Sequence, residues 1–139
     1  MKSWALRYLR EAEADLSLAK ECDSIELVKE LSAISMRKAQ LAIQYAFGDP
    51  NIMEYIFEEA LVKGLKKEPL IRLMEKINIL VKKTVDPQFN AAKDKILVLA
   101  EKTLEASSAI VKEALKRFSF IKGEKNWVLK FPQKILNLK

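Results

Sequence analysis

Breakers are scarce in this chain. Three glycines and four prolines are all that interrupt 139 residues, at Gly48, Pro50, Gly64, Pro69, Pro87, Gly123 and Pro132. Glycine and proline are the residues that end helices and turn chains. The long intervals between them must therefore be filled by long regular elements.

The periodicity inside those intervals is helical. Ala5, Leu9, Ala12, Leu16 and Ala19 recur at steps of four and three, an apolar stripe with the helix period. Arg10, Glu11, Glu13, Asp15 and Lys20 supply much of its wet side. Asp23 and Glu26 have the spacing of a capping box and predict the start of a second helix. That helix is expected to run to Phe47, with Gly48 taking the left-handed position beyond its last turn. Asp49-Pro50 predicts the cap and first residue of a third helix, "PNIMEYIFEEALVK", closed by Gly64. Pro69 opens a fourth, "PLIRLMEKINILVKKTV", and Asp86-Pro87 predicts the start of a fifth that meets no breaker before Gly123. At about 1.5 Å per residue the fifth would reach roughly 54 Å, more than a bundle of this size covers. It is expected to bend near Ser107-Ser108 or to project past the core.

No strand alternation competes with these patterns, and the short connections favour antiparallel neighbours. The expected fold is all-α: an up-down antiparallel bundle of about five helices over residues 1–123, followed by an apolar-basic C-terminal arm over 124–139. The predicted core is Leu9, Leu16, Leu31, Leu41, Tyr45, Ile56, Leu73, Ile77, Leu80, Leu97, Leu104 and Val111. The length fits one domain.

Histidine is absent. Ser-His and Cys-His nucleophilic sites, histidine-bearing zinc sites and the Glu-x-x-His di-iron site of helical bundles therefore cannot be built from this chain. The single Cys22 forms no internal disulfide and suits a reducing compartment. The N-terminus turns charged too early for a secretory leader, and no apolar run is long enough to span a bilayer. A cytoplasmic location is expected, with no cofactor. The carboxylate pairs Glu11/Asp15, Glu54/Glu58 and Glu101/Glu105 each share a helix face. They read as exposed acidic faces rather than as a metal site, although a carboxylate-based enzyme remains a third reading.

The charge is uneven. Residues 1–60 hold seven basic side chains against eleven acidic, residues 61–83 seven against two, and residues 116–139 seven against one. In the fourth predicted helix, Arg72, Lys76 and Lys83 fall within about 40° of one another, opposite Leu70, Leu73, Met74, Ile77, Leu80 and Val81. With Lys82 beside them and Lys63, Lys66 and Lys67 just upstream, they form a basic ridge. Such a ridge is either a solvated helix face or a surface that contacts nucleic-acid phosphates.

Two further features divide in the same way. Ala39, Ala42 and Ala46 share one face of the second helix and let a partner helix approach closely; Arg37 and Lys38 fall at the edge of that face. A pairing of Arg37 with a carboxylate of the first helix is one structural option there. In the arm, Trp127, Leu129, Phe131, Ile135 and Leu136 are too apolar to remain in water. They are expected to pack on the bundle or on a second subunit.

"YLREAEADLSLA" (Tyr8 to Ala19) and "RKAQLAIQYA" (Arg37 to Ala46) resemble the first two helices of the HEPN superfamily, small helical-bundle domains of prokaryotic toxin–antitoxin and related systems. The resemblance implies a bundle of four or five helices that often dimerises. Some members cleave RNA without metal; others partner small nucleotidyltransferases. The cleaving members carry an Arg followed, after four to six residues, by a His, and no arginine here satisfies that motif. The fold is thus implied without any catalytic residue. The expected function is a non-catalytic interaction module, self-associating as a homodimer or binding a partner protein. Nucleic-acid binding through the basic ridge is the alternative.

Overall fold

The computed structural model describes residues 2–48 and 69–118. The predicted third helix and the C-terminal arm lie outside them. The described residues are helical throughout, apart from short connections, and include no strand. α1 spans Lys2–Glu21, α2 Ile25–Ala46, α3 Pro69–Val85 and α4 Lys93–Phe118.

The α1–α2 pair is built on small residues. The predicted α1 stripe is buried in full, Ala5, Leu9, Ala12, Leu16 and Ala19 being at most 5% exposed. On α2 the matching seam is Val28, Ser32, Ser35, Ala39, Ala42 and Ala46, again at steps of four and three and all buried. Side chains this small let the helix axes approach toward the short end of the usual 8–10 Å range. One hydrogen bond reports that approach directly: Ser35 Oγ donates to the Ala12 carbonyl across the seam at 2.6 Å. Met36 and Ile43 flank the seam and join a cluster with Leu73, Met74, Ile77 and Val81 of α3 and with Ala100, Leu104, Ile110 and Val111 of α4. Burying a side chain such as Met36 completely stabilises the fold by roughly 1.5–3 kcal/mol.

The helix ends depart from the sequence expectation at two points. α2 is capped by Ser24, whose Oγ accepts from the Leu27 N–H, so the cap lies one residue beyond the predicted Asp23. The C-terminal signal holds: Gly48 has φ 104° and its N–H bonds to the Tyr45 carbonyl. Asp86-Pro87 does not open a helix. Asp86 Oδ1 accepts from the Gln88 N–H and its carbonyl from the Phe89 N–H, closing a tight turn that delays α4 to Lys93. From there α4 runs unbroken through Ser107 and Ser108, so no helix break occurs at that pair.

Two lysines fasten the connections together. Lys29 Nζ of α2 donates to the carbonyls of Asp86 and Phe89, the latter at 2.8 Å. Lys93 Nζ of α4 donates to the carbonyls of Lys20 at 3.1 Å and Cys22 at 2.6 Å. The last carbonyls of a helix have no intrahelical partner, and a cation there also meets the negative end of the helix dipole. The Phe89 ring lies between Lys29 and Lys83, 5.9 and 5.3 Å from their ammonium groups. No helix among the described residues is long and apolar enough to cross a membrane.

Candidate interaction surface

α3 presents the two sides that its sequence predicts. Leu73, Met74, Ile77 and Val81 are buried, with Leu80 half-buried, while Arg72, Lys76, Lys82 and Lys83 are exposed. Glu75 is the acidic residue on that outer side, and Ile79, 63% exposed, lies between Lys76 and Lys83. Lys83 also covers Phe89, so it shapes the 86–89 turn as well as the ridge. Lys63, Lys66 and Lys67 lie outside the described residues, as do Trp127, Leu129, Phe131, Ile135 and Leu136.

Arg37 is exposed and borders a cleft of about 400 Å³ between α2 and α3, together with Glu26, Glu30 and Thr84. The basic residue that reaches α1 is its neighbour Lys38. Lys38 Nζ lies 2.8 Å from Asp15 Oδ2, with both side chains mostly covered. The hydrogen-bonded Asp15 carboxylate holds the Lys38 ammonium above the usual lysine range, against the opposing effect of partial burial.

Of the four described members of the predicted carboxylate pairs, three meet a basic side chain. Asp15 meets Lys38, Glu11 lies 3.8 Å from Arg7, and Glu101 lies 2.6 Å from Lys20. Glu54 and Glu58 fall outside the described residues. Among the described residues no three acidic or cysteine side chains converge.

A second stripe runs beside the buried one on each helix of the α1–α2 pair. On α1 it is Trp4, Tyr8, Glu11, Asp15 and Leu18; on α2 it is Leu27, Leu31, Ile34, Lys38, Leu41 and Tyr45. Each is spaced three or four residues apart, so each marks one face of its helix. Contacts bring the two stripes side by side. The Tyr8 and Tyr45 rings stack with centroids 5.4 Å apart, Trp4 lies 6.4 Å from Tyr45, and Asp15 pairs with Lys38. Arg7 places its guanidinium 5.1 Å from the Trp4 ring centre. α4 packs on the other flank of α1, where Lys20 reaches Glu101 and where Glu13 and Leu16 face Leu104 and Ser108. The joined stripes thus form an outer seam with no described helix over it.

Several large apolar side chains of this seam are exposed. Trp4, Leu18, Leu27 and Ile34 are 45%, 53%, 49% and 38% exposed. Tyr8, Leu31, Leu41 and Tyr45 are half-buried beside them. Periodicity carried the signal: beside its buried stripe α2 has a second, largely apolar one, and α1 a mixed one in which Trp4, Tyr8 and Leu18 alternate with Glu11 and Asp15. Reading Leu31, Leu41 and Tyr45 as core concealed it.

Comparison with protein-family models, with curated proteins and with solved structures returns no match for this chain.

Proposed function

We propose that this chain is a non-catalytic, HEPN-like interaction module that associates with itself or with a partner protein. In this reading it is a cytoplasmic up-down antiparallel bundle of five helices with an apolar-basic arm. The observation that carries the proposal is the outer seam of α1 and α2. Trp4, Leu18, Leu27 and Ile34 there are each more than a third exposed, beside the Arg7–Glu11 and Lys38–Asp15 ion pairs. Contiguous exposed apolar surface marks sites of association. The partner class that the HEPN resemblance implies is a small nucleotidyltransferase. Sedimentation velocity on the chain alone, and on the chain mixed with a co-expressed small nucleotidyltransferase, tests the reading. A heavier species in either case is the expected result; monomeric sedimentation in both refutes it.

A second reading rests on a different observation, the exposure of Arg72, Lys76, Lys82 and Lys83 along one side of α3. Lysines and arginines in such a row neutralise phosphates and release counterions, so binding falls steeply with salt. Fluorescence anisotropy of labelled RNA and DNA across a salt series decides it. Micromolar affinity with a steep salt slope supports a nucleic-acid binder, and absence of binding at low salt removes that reading.

A further inference from the structure

A groove runs along the contact between α2 and α3. One wall is a single row of α2, Glu26, Glu30, Ala33, Arg37, Gln40 and Gln44, at steps of four and three. At one end the row borders the cleft of about 400 Å³ that Arg37 shares with Glu26 and Glu30, with Val85 and Pro87 across from them. At the other end it borders a second cleft, about 390 Å³, where Gln40 and Gln44 meet Asn78 over a buried floor of Ile43, Met74 and Ile77. Gln40 Nε2 donates to Asn78 Oδ1 at 3.3 Å and ties the two walls together there. From Glu26 to Gln44 the row advances 18 residues, or about 27 Å.

We propose that this groove binds an extended peptide segment carrying a basic and an acidic side chain four residues apart. The groove is a different surface from the outer seam, so the proposal goes beyond the function given above and stands or falls separately from it.

The charges set the chemistry of the occupant. Glu26, Glu30 and Arg37 line a cleft, yet among the described residues they form no ion pair or hydrogen bond. Glu11, Asp15, Lys38 and Glu101, by contrast, meet their partners within the chain. The midpoint of Glu26 and Glu30 lies nine residues from Arg37, about 13.5 Å along α2. Side chains four positions apart on one face of an extended chain are separated by about 13 Å. A lysine or arginine of the occupant therefore reaches the two carboxylates while a carboxylate reaches Arg37. The position between them falls at Ala33 and Val85, where the short alanine leaves room for an apolar side chain.

The amide end selects an extended backbone. The Gln40–Asn78 bond uses one donor and one acceptor, which leaves a carbonyl oxygen and an NH2 group to pair with a peptide unit. An extended segment has such main-chain groups to offer, whereas a helix has committed its own to its internal ladder. Nucleic acid fits less well, because Glu26 and Glu30 would repel its phosphates.

Fluorescence anisotropy of labelled peptides with the full chain tests the proposal, using peptides of about eight residues to span the groove. The probes contain Lys-Ser-Val-Ser-Glu or Glu-Ser-Val-Ser-Lys, one for each chain direction, within otherwise neutral sequence. Saturable binding of one of them is the expected result, with the all-Lys and all-Glu versions weaker. Arg37→Glu should lower that affinity roughly tenfold, since reversal turns an attraction into a repulsion, and should make the all-Lys peptide the preferred one. Ala33→Trp fills the middle of the groove and should weaken binding too; Ala33 is half-buried, and far-UV circular dichroism checks that both variants fold. Leu18→Glu, on the outer seam, should leave the affinity unchanged. Absence of saturable binding by either mixed-charge peptide overturns the proposal. Binding that survives both Arg37→Glu and Ala33→Trp, or that is lost with Leu18→Glu, also overturns it by placing the peptide elsewhere. A labelled RNA that displaces the peptide and is itself released by Arg37→Glu would overturn it in favour of nucleic acid. None of these outcomes bears on the outer seam, which answers to the sedimentation experiment.

Discussion

Lys93→Met separates a structural lysine from a merely soluble one. Lys93 begins α4, yet its ammonium donates two hydrogen bonds to carbonyls at the end of α1, 3.1 Å to Lys20 and 2.6 Å to Cys22. Methionine preserves most of the apolar stem and removes the donor. A hydrogen bond to a charged group is worth about 1.5–3 kcal/mol when well buried, and a cation at a helix C-terminus about 0.3–1 kcal/mol. Lys93 is half-buried, so water replaces part of what is lost. The low end of that range applies to the pair, about 1.5–2 kcal/mol in all. For a chain of this length each kcal/mol moves the midpoint by about 3–5 °C. Thermal melts at neutral pH should therefore show a loss of roughly 5–9 °C by that scaling. Lys95→Met is the control, because Lys95 is exposed and two residues away on the same helix. It should shift the midpoint by no more than about 1 °C, as isolated surface substitutions do. Equal shifts in the two variants would refute the idea that Lys93 fastens α1 to α4.

Two further outcomes follow from the α1–α2 seam. The folded pKa of Lys38 is raised above 10.5 by Asp15, so the stability that their pair contributes is fully present below pH 10.5 and is lost as pH rises through the raised value. The melting difference between the native chain and Lys38→Met should stay constant from neutral pH to about 10 and then shrink; a difference that grows with alkaline pH contradicts that sign. Ala39 is fully buried where α2 meets α1, and Ala39→Leu overfills the seam, for an expected loss of about 1–3 kcal/mol in denaturant unfolding. A neutral result would mean that the helices are not in close contact there.

The parts of this fold that were legible from sequence are those that one helix determines by itself. The α1 stripe, the Ala39–Ala42–Ala46 face, the Gly48 stop and the buried side of α3 all follow from spacing within a single segment. The parts that were not legible depend on which segments meet. Asp23 and Ser24 are both good caps, and the choice between them is one of register. Asp86-Pro87 can start a helix or close a turn, and Lys29 donating to carbonyls 57 and 60 residues away holds the turn. Lys93 and Lys20 are 73 residues apart, a distance over which local pattern carries no information. Arg37 and Lys38 differ by about 100° around α2, enough to send one to solvent and the other to Asp15. For the candidate site, spacing gave the row on α3 that is exposed in the structure. It missed the outer seam, because a half-buried tyrosine and a core tyrosine look alike in sequence.

The seam and the core are consequences of one choice of residues. Alanine and serine along α1 and α2 bring the helices close enough for Ser35 to reach the Ala12 carbonyl, but such small side chains bury little apolar area between them. The larger residues are displaced to the flanks. On the inner flank, Met36 and Ile43 join the cluster that α3 and α4 complete. On the outer flank, Trp4, Tyr8 and Tyr45 stack on one another beside the Arg7–Glu11 and Lys38–Asp15 pairs, and Leu27 and Ile34 are 49% and 38% exposed. Exposing that much apolar surface is unfavourable in water at roughly 25 cal/mol per Å². Covering it with a second copy would recover that free energy, whereas enlarging Ala39 or Ala42 to bury more between the helices would force the pair apart.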